Sequence, residues 1–458
     1  MDWQNDILGA ALLSAVFLGV LGVAELWMRW RGPNPEHPRK LVHLAGGIAC
    51  LFFPVLIASP WVVFVMAMAM SSLFALGARK DFLTSLHSVD RKTHGSEYYP
   101  LAIFLVFLLA HEHLWLYISS ILVLVVADAF AALIGGAYGR IHYEVEQEKR
   151  SLEGSLVFLL ISFLAVLGPL LIMTELPGLN CLLAALLTSL LVTGFEAISL
   201  RGADNLFVPI GVCVVLHRIV EMPWGDLVLK NLILLALFLG VGLLVWRTRH
   251  LNFGAALVFI LFTYAASALA NGYWALPPLV GLLLYLAVRL AAPPPAGYRT
   301  QVKIVVFVRL HAPPLLLLAF ADATGDHAFL QGPYVVCYAT MISFGVWVYL
   351  AWRGLVPHRM RLGAAGLSGA MFGTAVAVLP WVFQIVPLIA LLGVTGICLL
   401  LGLLNDLTLQ RGGRVEVNEF WTAPRFLLSC GAALAVMLLQ WLEILPVWPG
   451  LLGDGIEG

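Results

Sequence analysis

Four polar stretches break an otherwise apolar chain. The residues Glu148-Lys149-Arg150-Ser151-Leu152-Glu153-Gly154-Ser155 combine cations, carboxylates, hydroxyls and a glycine, and run straight into LVFLLISFLAVLGPLLIM. In RKLVHLAGG, Arg39, Lys40 and His43 stand at i, i+1 and i+4, on one side of the first turn of any helix starting there. In VADAFAALIGGAYGR, Asp128 lies well inside an apolar run, and Ala132, Gly135, Gly136 and Gly139 follow at helical spacing. A carboxylate at that depth costs about 3 kcal/mol, so it reads as functional. The small residues let another backbone, or a phosphate, come close. In GFEAISLRGADN, Glu196 ends one apolar run. Asp204 and Asn205 open the next, where an aspartate also serves as an N-cap.

These residue types suit phosphoryl transfer. The oxygens of Asp128, Glu153, Glu196, Asp204 and Asn205 suit Mg²⁺, which takes few carboxylates and completes its shell with phosphates. Lys40, Lys149, Arg150 and the glycines suit a polyphosphate. Such transfer is mostly positioning and charge neutralisation, so the inventory suffices. His43 has a suitable range to take a proton from an alcohol; a water or a carboxylate would serve equally. No Walker A, kinase glycine loop or G-x-G-x-x-G is present. A nucleotide would therefore be held by loops at a membrane surface, with its acceptor arriving from the bilayer. Singly, each residue has an ordinary reading: Arg39, Lys40 and Arg140 as charge anchors, His43 as an interface residue, Asp204 as a cap. Their coincidence on one membrane face, all before residue 210, carries the functional reading.

The elements that position them are membrane helices. Of 458 residues, 61% are hydrophobic and 11% charged, and mean hydropathy is +0.95. Soluble domains carry about 25% charge, so that class is excluded. Apolar runs long enough to cross roughly 30 Å of hydrocarbon recur throughout. They predict an all-α polytopic protein of about sixteen spans: 7–27, 43–58, 60–77, 99–111, 115–138, 154–173, 179–199, 205–219, 229–246, 253–270, 274–290, 304–320, 332–352, 364–380, 383–403 and 426–443. A count as low as thirteen fits if the short runs do not cross. The first run lacks a basic leader and a cleavage site and reads as a span.

Alternate loops contain 23 of the 26 Lys and Arg, the exceptions being Arg218, Lys230 and Arg309. By the positive-inside rule those loops are cytoplasmic, and both termini are non-cytoplasmic. EKRSLEGS then reads as a cytoplasmic loop feeding a span. Net charge is zero, which gives no argument for nucleic acid. The cysteines (Cys50, Cys181, Cys213, Cys337, Cys398, Cys430) sit in apolar segments without C-x-x-C spacing and read as core residues.

Taken in order, RKLVH, the small-residue helix after Asp128, KRSLEGS, and Glu196 with Asp204-Asn205 resemble the CTP-dependent lipid-alcohol kinases. That family includes phytol kinase, dolichol kinase and the CTP-using diacylglycerol kinase. The resemblance covers roughly residues 35–220. It implies CTP as donor, Mg²⁺ or another divalent cation, and a long-chain lipid alcohol as acceptor, with the active site facing the cytoplasm. Carried over, it implies catalytic roles for His43, Asp128 and Glu153. Nucleotide contacts fall to Arg39, Lys40, Gly135, Gly139, Lys149, Arg150, Ser151 and Gly154. Metal ligation falls to Asp128, Glu196, Asp204 and Asn205. On this reading Glu153→Gln abolishes transfer. Two departures stand out: Ala127-Asp128 replaces the frequent Gly-Asp, and IHYEVEQE before Lys149 is unusually acidic.

The resemblance divides the chain into a catalytic part, 1–225, and a further helical part, 226–458. The latter holds the Pro-rich linker AAPPPAGYR (291–299) and a polar loop (405–425) with Asp406, Glu416 and Glu419. A scaffolding role suits it better than a second active site. Two rivals remain for the whole. A phosphatidate cytidylyltransferase also uses CTP and metal, but its usual C-terminal signature is missing. A transporter would tolerate a buried aspartate, but would spread its polar groups over two related halves.

Overall fold

Backbone N–H and C=O groups in hydrocarbon must pair within their own segment, so long apolar runs fold as helices. The computed structural model describes residues 3–31, 36–80, 95–145, 148–248, 252–270, 272–291, 304–338 and 423–444. The predicted spans 364–380 and 383–403, most of 332–352, the linker 292–299 and the loop 405–422 lie outside the described residues, as do Arg91 to His94.

Among the described residues six helices are long and apolar enough to cross a membrane, and five apolar helices are shorter. Contacts divide the chain into two units, Met1–Leu235 and Ala236–Gly458. The first contains α1 (Trp3–Arg31), α2 (Glu36–Cys50), α3 (Phe53–Leu56), α4 (Pro60–Lys80), α5 (Gly95–Leu109) and α6 (Leu114–Tyr138). It continues with strands β1 (His142–Val145) and β2 (Glu148–Ser151), then α7 (Leu152–Met173), α8 (Gly178–Ile198) and α9 (Asp204–Ile219). The boundary between the units falls within α10 (Trp224–Thr248). Half of α6 and 56% of the apolar stretch of α8 are buried, against 22% for the stretches in α1 and α4. The central helices are therefore α6 and α8, and α1 and α4 face outward.

The single span expected over 43–58 is broken. Pro54 has no N–H for the Cys50 carbonyl four residues earlier, so the helix stops and α3 restarts it. The Cys50 carbonyl instead accepts the Tyr117 hydroxyl of α6 at 2.8 Å. The next helix, α4, is capped from a distance. Asp6, buried at the start of α1, accepts the backbone N–H groups of Ala58 and Ser59 at 2.8 and 3.0 Å, just ahead of Pro60.

In mid-helix α6 has a π-helical turn, Val123–Ala127, immediately before Asp128. Gly47 of α2 packs against it. A Cβ at Gly47 would stand 2.5 Å from the Tyr99 hydroxyl and 2.6 Å from Val125 Cγ1, so only glycine allows this approach. Gly47→Ala is expected to lower stability by about 1–3 kcal/mol, as overpacking does. Thermal unfolding in detergent checks this, with an unchanged midpoint as the contrary result.

The second unit contains α11 (Phe253–Leu269), a 3₁₀ turn (Gly272–Ala275), α12 (Leu276–Ala291), α13 (Ile304–Thr324), a helical stretch 327–338 and α14 (Ala423–Trp441). Its core gathers around Trp274, Tyr334 and Tyr338, with the Tyr334 hydroxyl donating to the Trp274 carbonyl at 2.9 Å.

Candidate active site

The stretch expected as a cytoplasmic loop has structure. Strands His142–Val145 and Glu148–Ser151 pair as an antiparallel hairpin, in which Glu144 faces Lys149 and Tyr143 faces Arg150. Opposite charges across a strand pair favour this register. Ser151 then serves as the N-cap of α7: its hydroxyl accepts the Gly154 N–H at 3.2 Å and lies 3.3 Å from the Gly135 carbonyl, to which it donates. This side chain joins the end of α6 to the start of α7. The glycines make the join possible. A Cβ at Gly135 would stand 2.8 Å from Ser151 Oγ, and one at Gly154 would stand 3.2 Å from the Ala131 carbonyl and from Gly135 Cα. The close backbone approach open to these small residues is present here. Ser151→Ala removes the cap and is expected to cost about 1 kcal/mol. A thermal midpoint equal to that of the unsubstituted protein would contradict it.

The hairpin carries Arg150 into a group of carboxylates. Its guanidinium pairs directly with Glu196 of α8, lies 3.7 Å from Asp204 of α9 and 3.6 Å from Glu148, and donates to the Ser199 carbonyl at 2.8 Å. Glu148 also accepts the Arg201 N–H at 2.7 Å. Arg201 has a φ of 55°, in the left-handed region, so Glu148 holds a strained turn between α8 and α9. One cation thus faces three carboxylates. Asp204, one residue ahead of the apolar run of α9, has its carboxyl pushed up to about 6, first by burial and then by the charge of Asp128, against the pull of Arg150. The Oε2 atom of Glu196 is buried with no hydrogen-bond partner among the described residues. Among those residues the cluster around Arg150 holds more carboxylates than cations.

Asp128 stands just past the π-helical turn. His43 Nε2 lies 3.5 Å from its Oδ2 and 3.1 Å from the Leu124 carbonyl, which can only accept. The imidazole therefore donates through Nε2. Tyr99 of α5 fixes it from the other side, with ring centroids 4.9 Å apart and its hydroxyl donating to the His43 carbonyl at 3.2 Å. Asn205 donates to the Gly95 carbonyl at 3.0 Å, which ties the start of α9 to that of α5.

These groups share a cavity of about 1410 Å³ inside the first unit. Its polar end is lined by Lys40, His43, Asp128, Arg150, Asp204 and Asn205, and its other end by apolar side chains of α1, α2 and α4. Ordinary ligand pockets measure roughly 300–1,000 Å³, so two substrates fit. An amphipathic cavity in membrane helices suits a reaction between a charged and an apolar substrate.

A comparison with known proteins bears on which reaction. The chain is 33% identical over 214 residues to the phytol kinase of Synechocystis sp., a match covering 88% of that protein and 44% of this chain. It belongs to the lipid-alcohol kinase family. No family model and no solved structure matches.

Of the residues that resemblance to the lipid-alcohol kinases singles out, the fold brings most together. Lys40, His43, Asp128, Gly135, Lys149, Arg150, Ser151, Gly154, Glu196, Asp204 and Asn205 all line the cavity. Glu153 and Gly139 do not line it. The Glu153 carboxylate turns back to accept the Ile141 N–H at 3.2 and 3.3 Å, fastening the entry of the hairpin. Arg39 lies in α2, and its side chain is outside the described residues. Sequence reasoning passed over Glu148, although it sat in one of the four polar stretches, and Tyr99, which sat in none of them. Spacing shows neither the left-handed turn that Glu148 holds nor the helix crossing that brings Tyr99 to His43.

Proposed function

We propose that this protein transfers the γ-phosphoryl group of CTP to the hydroxyl of a long-chain lipid alcohol, at the cytoplasmic face of a membrane. The observation that carries the reading is the cavity, which joins a charged cluster to an apolar arm within the unit that holds the family's motifs. Support also comes from the likeness to a phytol kinase, an enzyme named for such an alcohol.

Lys149 is 70% exposed and only 3.9 Å from Glu144, a pair worth about 0–1 kcal/mol, so it turns to a phosphate at little cost. Lys40 faces the same space from α2. Arg150 is engaged by carboxylates and organises them rather than receiving the nucleotide. His43 donates through Nε2 to the Leu124 carbonyl and stands 3.5 Å from Asp128, leaving a carboxylate oxygen of Asp128 to take the proton from the alcohol.

The donor set fits a divalent cation. No group of three or more His, Cys, Asp or Glu poised for a metal is assembled among the described residues. A Mg²⁺ ion usually needs few protein carboxylates, with phosphates completing its shell. Asp128 and Asp204 would hold it, with Glu196 and Asn205 beside them, and the unpartnered Glu196 oxygen and the surplus negative charge agree with that. When bound, the ion supplies neutralisation of charge on the phosphates.

The test is purified protein in detergent with γ-labelled CTP, Mg²⁺ and a panel of phytol, polyprenols and diacylglycerol. Label is expected in a lipid monophosphate. Pyrophosphate release with phosphatidate present would shift the assignment to a cytidylyltransferase. No turnover with any donor or acceptor would favour a transporter.

A further inference from the structure

The apolar arm of the cavity leads away from the reacting groups. It runs between α1, α2 and α4, away from Asp128, and is bounded by Phe17 and Phe53, whose rings meet edge to face at 6.1 Å. Leu18 of α1 and Val65 of α4 line this arm, yet they are 59% and 66% exposed. Both lie in helices of membrane-crossing length whose apolar stretches are only 22% buried. α1 and α4 are therefore the helices that stand between the arm and the bilayer. From α2, buried Gly46 faces the arm. A Cβ there would meet the Phe17 ring at 3.4 Å, so alanine fits and a larger side chain intrudes.

We propose that this arm is a tail channel, loaded sideways from the bilayer between α1 and α4, and that it holds the hydrocarbon tail of a long-chain alcohol while the hydroxyl reaches Asp128. The physical reason is transfer free energy. Drawing a tail through water costs about 0.8 kcal/mol per CH₂, whereas passage from lipid into an apolar channel costs almost nothing. The far end of a long tail remains in the bilayer, so length alone does not exclude a substrate. The proposal rests on the kinase reading for the fate of the hydroxyl, but not for the position of the tail.

Two measurements test it. The full chain in lipid nanodiscs is irradiated with a long-chain isoprenoid alcohol bearing a diazirine in its tail, with and without excess unlabelled alcohol. Competed crosslinks are expected on α1 and α4 around Phe17, Leu18, Val65 and Met70. Crosslinks confined to other elements, or unaffected by competitor, overturn the channel. Second, Gly46→Leu and the rim variant Val65→Trp are assayed with a long-chain and a short-chain isoprenoid alcohol. The ratio of kcat/KM, long over short, is expected to fall at least about tenfold, the scale of a misfit in an apolar pocket. Val65→Trp guards against misfolding, because the Val65 side chain is 66% exposed rather than buried in a core. An unchanged ratio in both variants overturns the proposal. Failure of the kinase reading is separate: no phosphoryl transfer by the unsubstituted protein, with competed crosslinking intact.

Discussion

Asp128→Asn is expected to reduce phosphoryl transfer at least about a hundredfold, the range lost when an acid–base group or charge-stabilising contact is removed. The substitution keeps the size of the side chain and its contact with His43, so the fold is expected to survive. The reason for so large an effect is position. Asp128 stands where a π-helical turn, a histidine from α2 and a carboxylate from α9 converge, and it lines the cavity. The check is turnover with γ-labelled CTP beside a thermal midpoint. Activity within a few-fold of the unsubstituted protein would remove Asp128 from the chemistry. Glu153→Gln provides the comparison. Its carboxylate holds the Ile141 N–H and lies outside the cavity lining, so a smaller loss is expected, arising from hairpin position. A loss equal to that of Asp128 would restore Glu153 as a direct participant.

Arg150→Met is expected to destabilise the first unit by about 3 kcal/mol. Breaking a largely buried ion pair leaves charge without compensation, and here Arg150 and Glu196 are 15% and 12% exposed. The loss exceeds that for one pair broken at a surface because Asp204 and Glu148 share the same cation. Combining Arg150→Met with Glu196→Gln is expected to recover part of the stability, since one of the uncompensated charges is gone. Thermal unfolding in detergent reads both. Equal midpoints for the unsubstituted protein and Arg150→Met would show that the carboxylates are solvated and that the cluster is not held by this arginine.

A great deal of this was legible in the order of residues. Composition alone excluded a soluble domain, because apolar runs of this length can hide their backbone polar groups only as helices. Asp128 was marked by depth, and EKRSLEGS by its crowding of charge. The assembly of Asp128, Arg150, Glu196 and Asp204 in one cavity agrees with the grouping read from the motifs.

Which partners each residue meets there was decided by tertiary contacts. Arg150 read as a phosphate ligand; besides Glu148 of its own strand, its partners Glu196 and Asp204 come from α8 and α9, tens of residues away. The glycines after Asp128 read as room for a backbone or a phosphate, and the Ser151 cap together with Gly154 shows the backbone. Glu153 read as catalytic from the family resemblance, and helix geometry turns its carboxylate towards Ile141. The apolar arm had no sequence signal, since a helix face turned to a channel and one turned to lipid are equally hydrophobic. Residue type sets what a side chain is able to do. Which of those uses it serves depends on neighbours that only helix packing supplies.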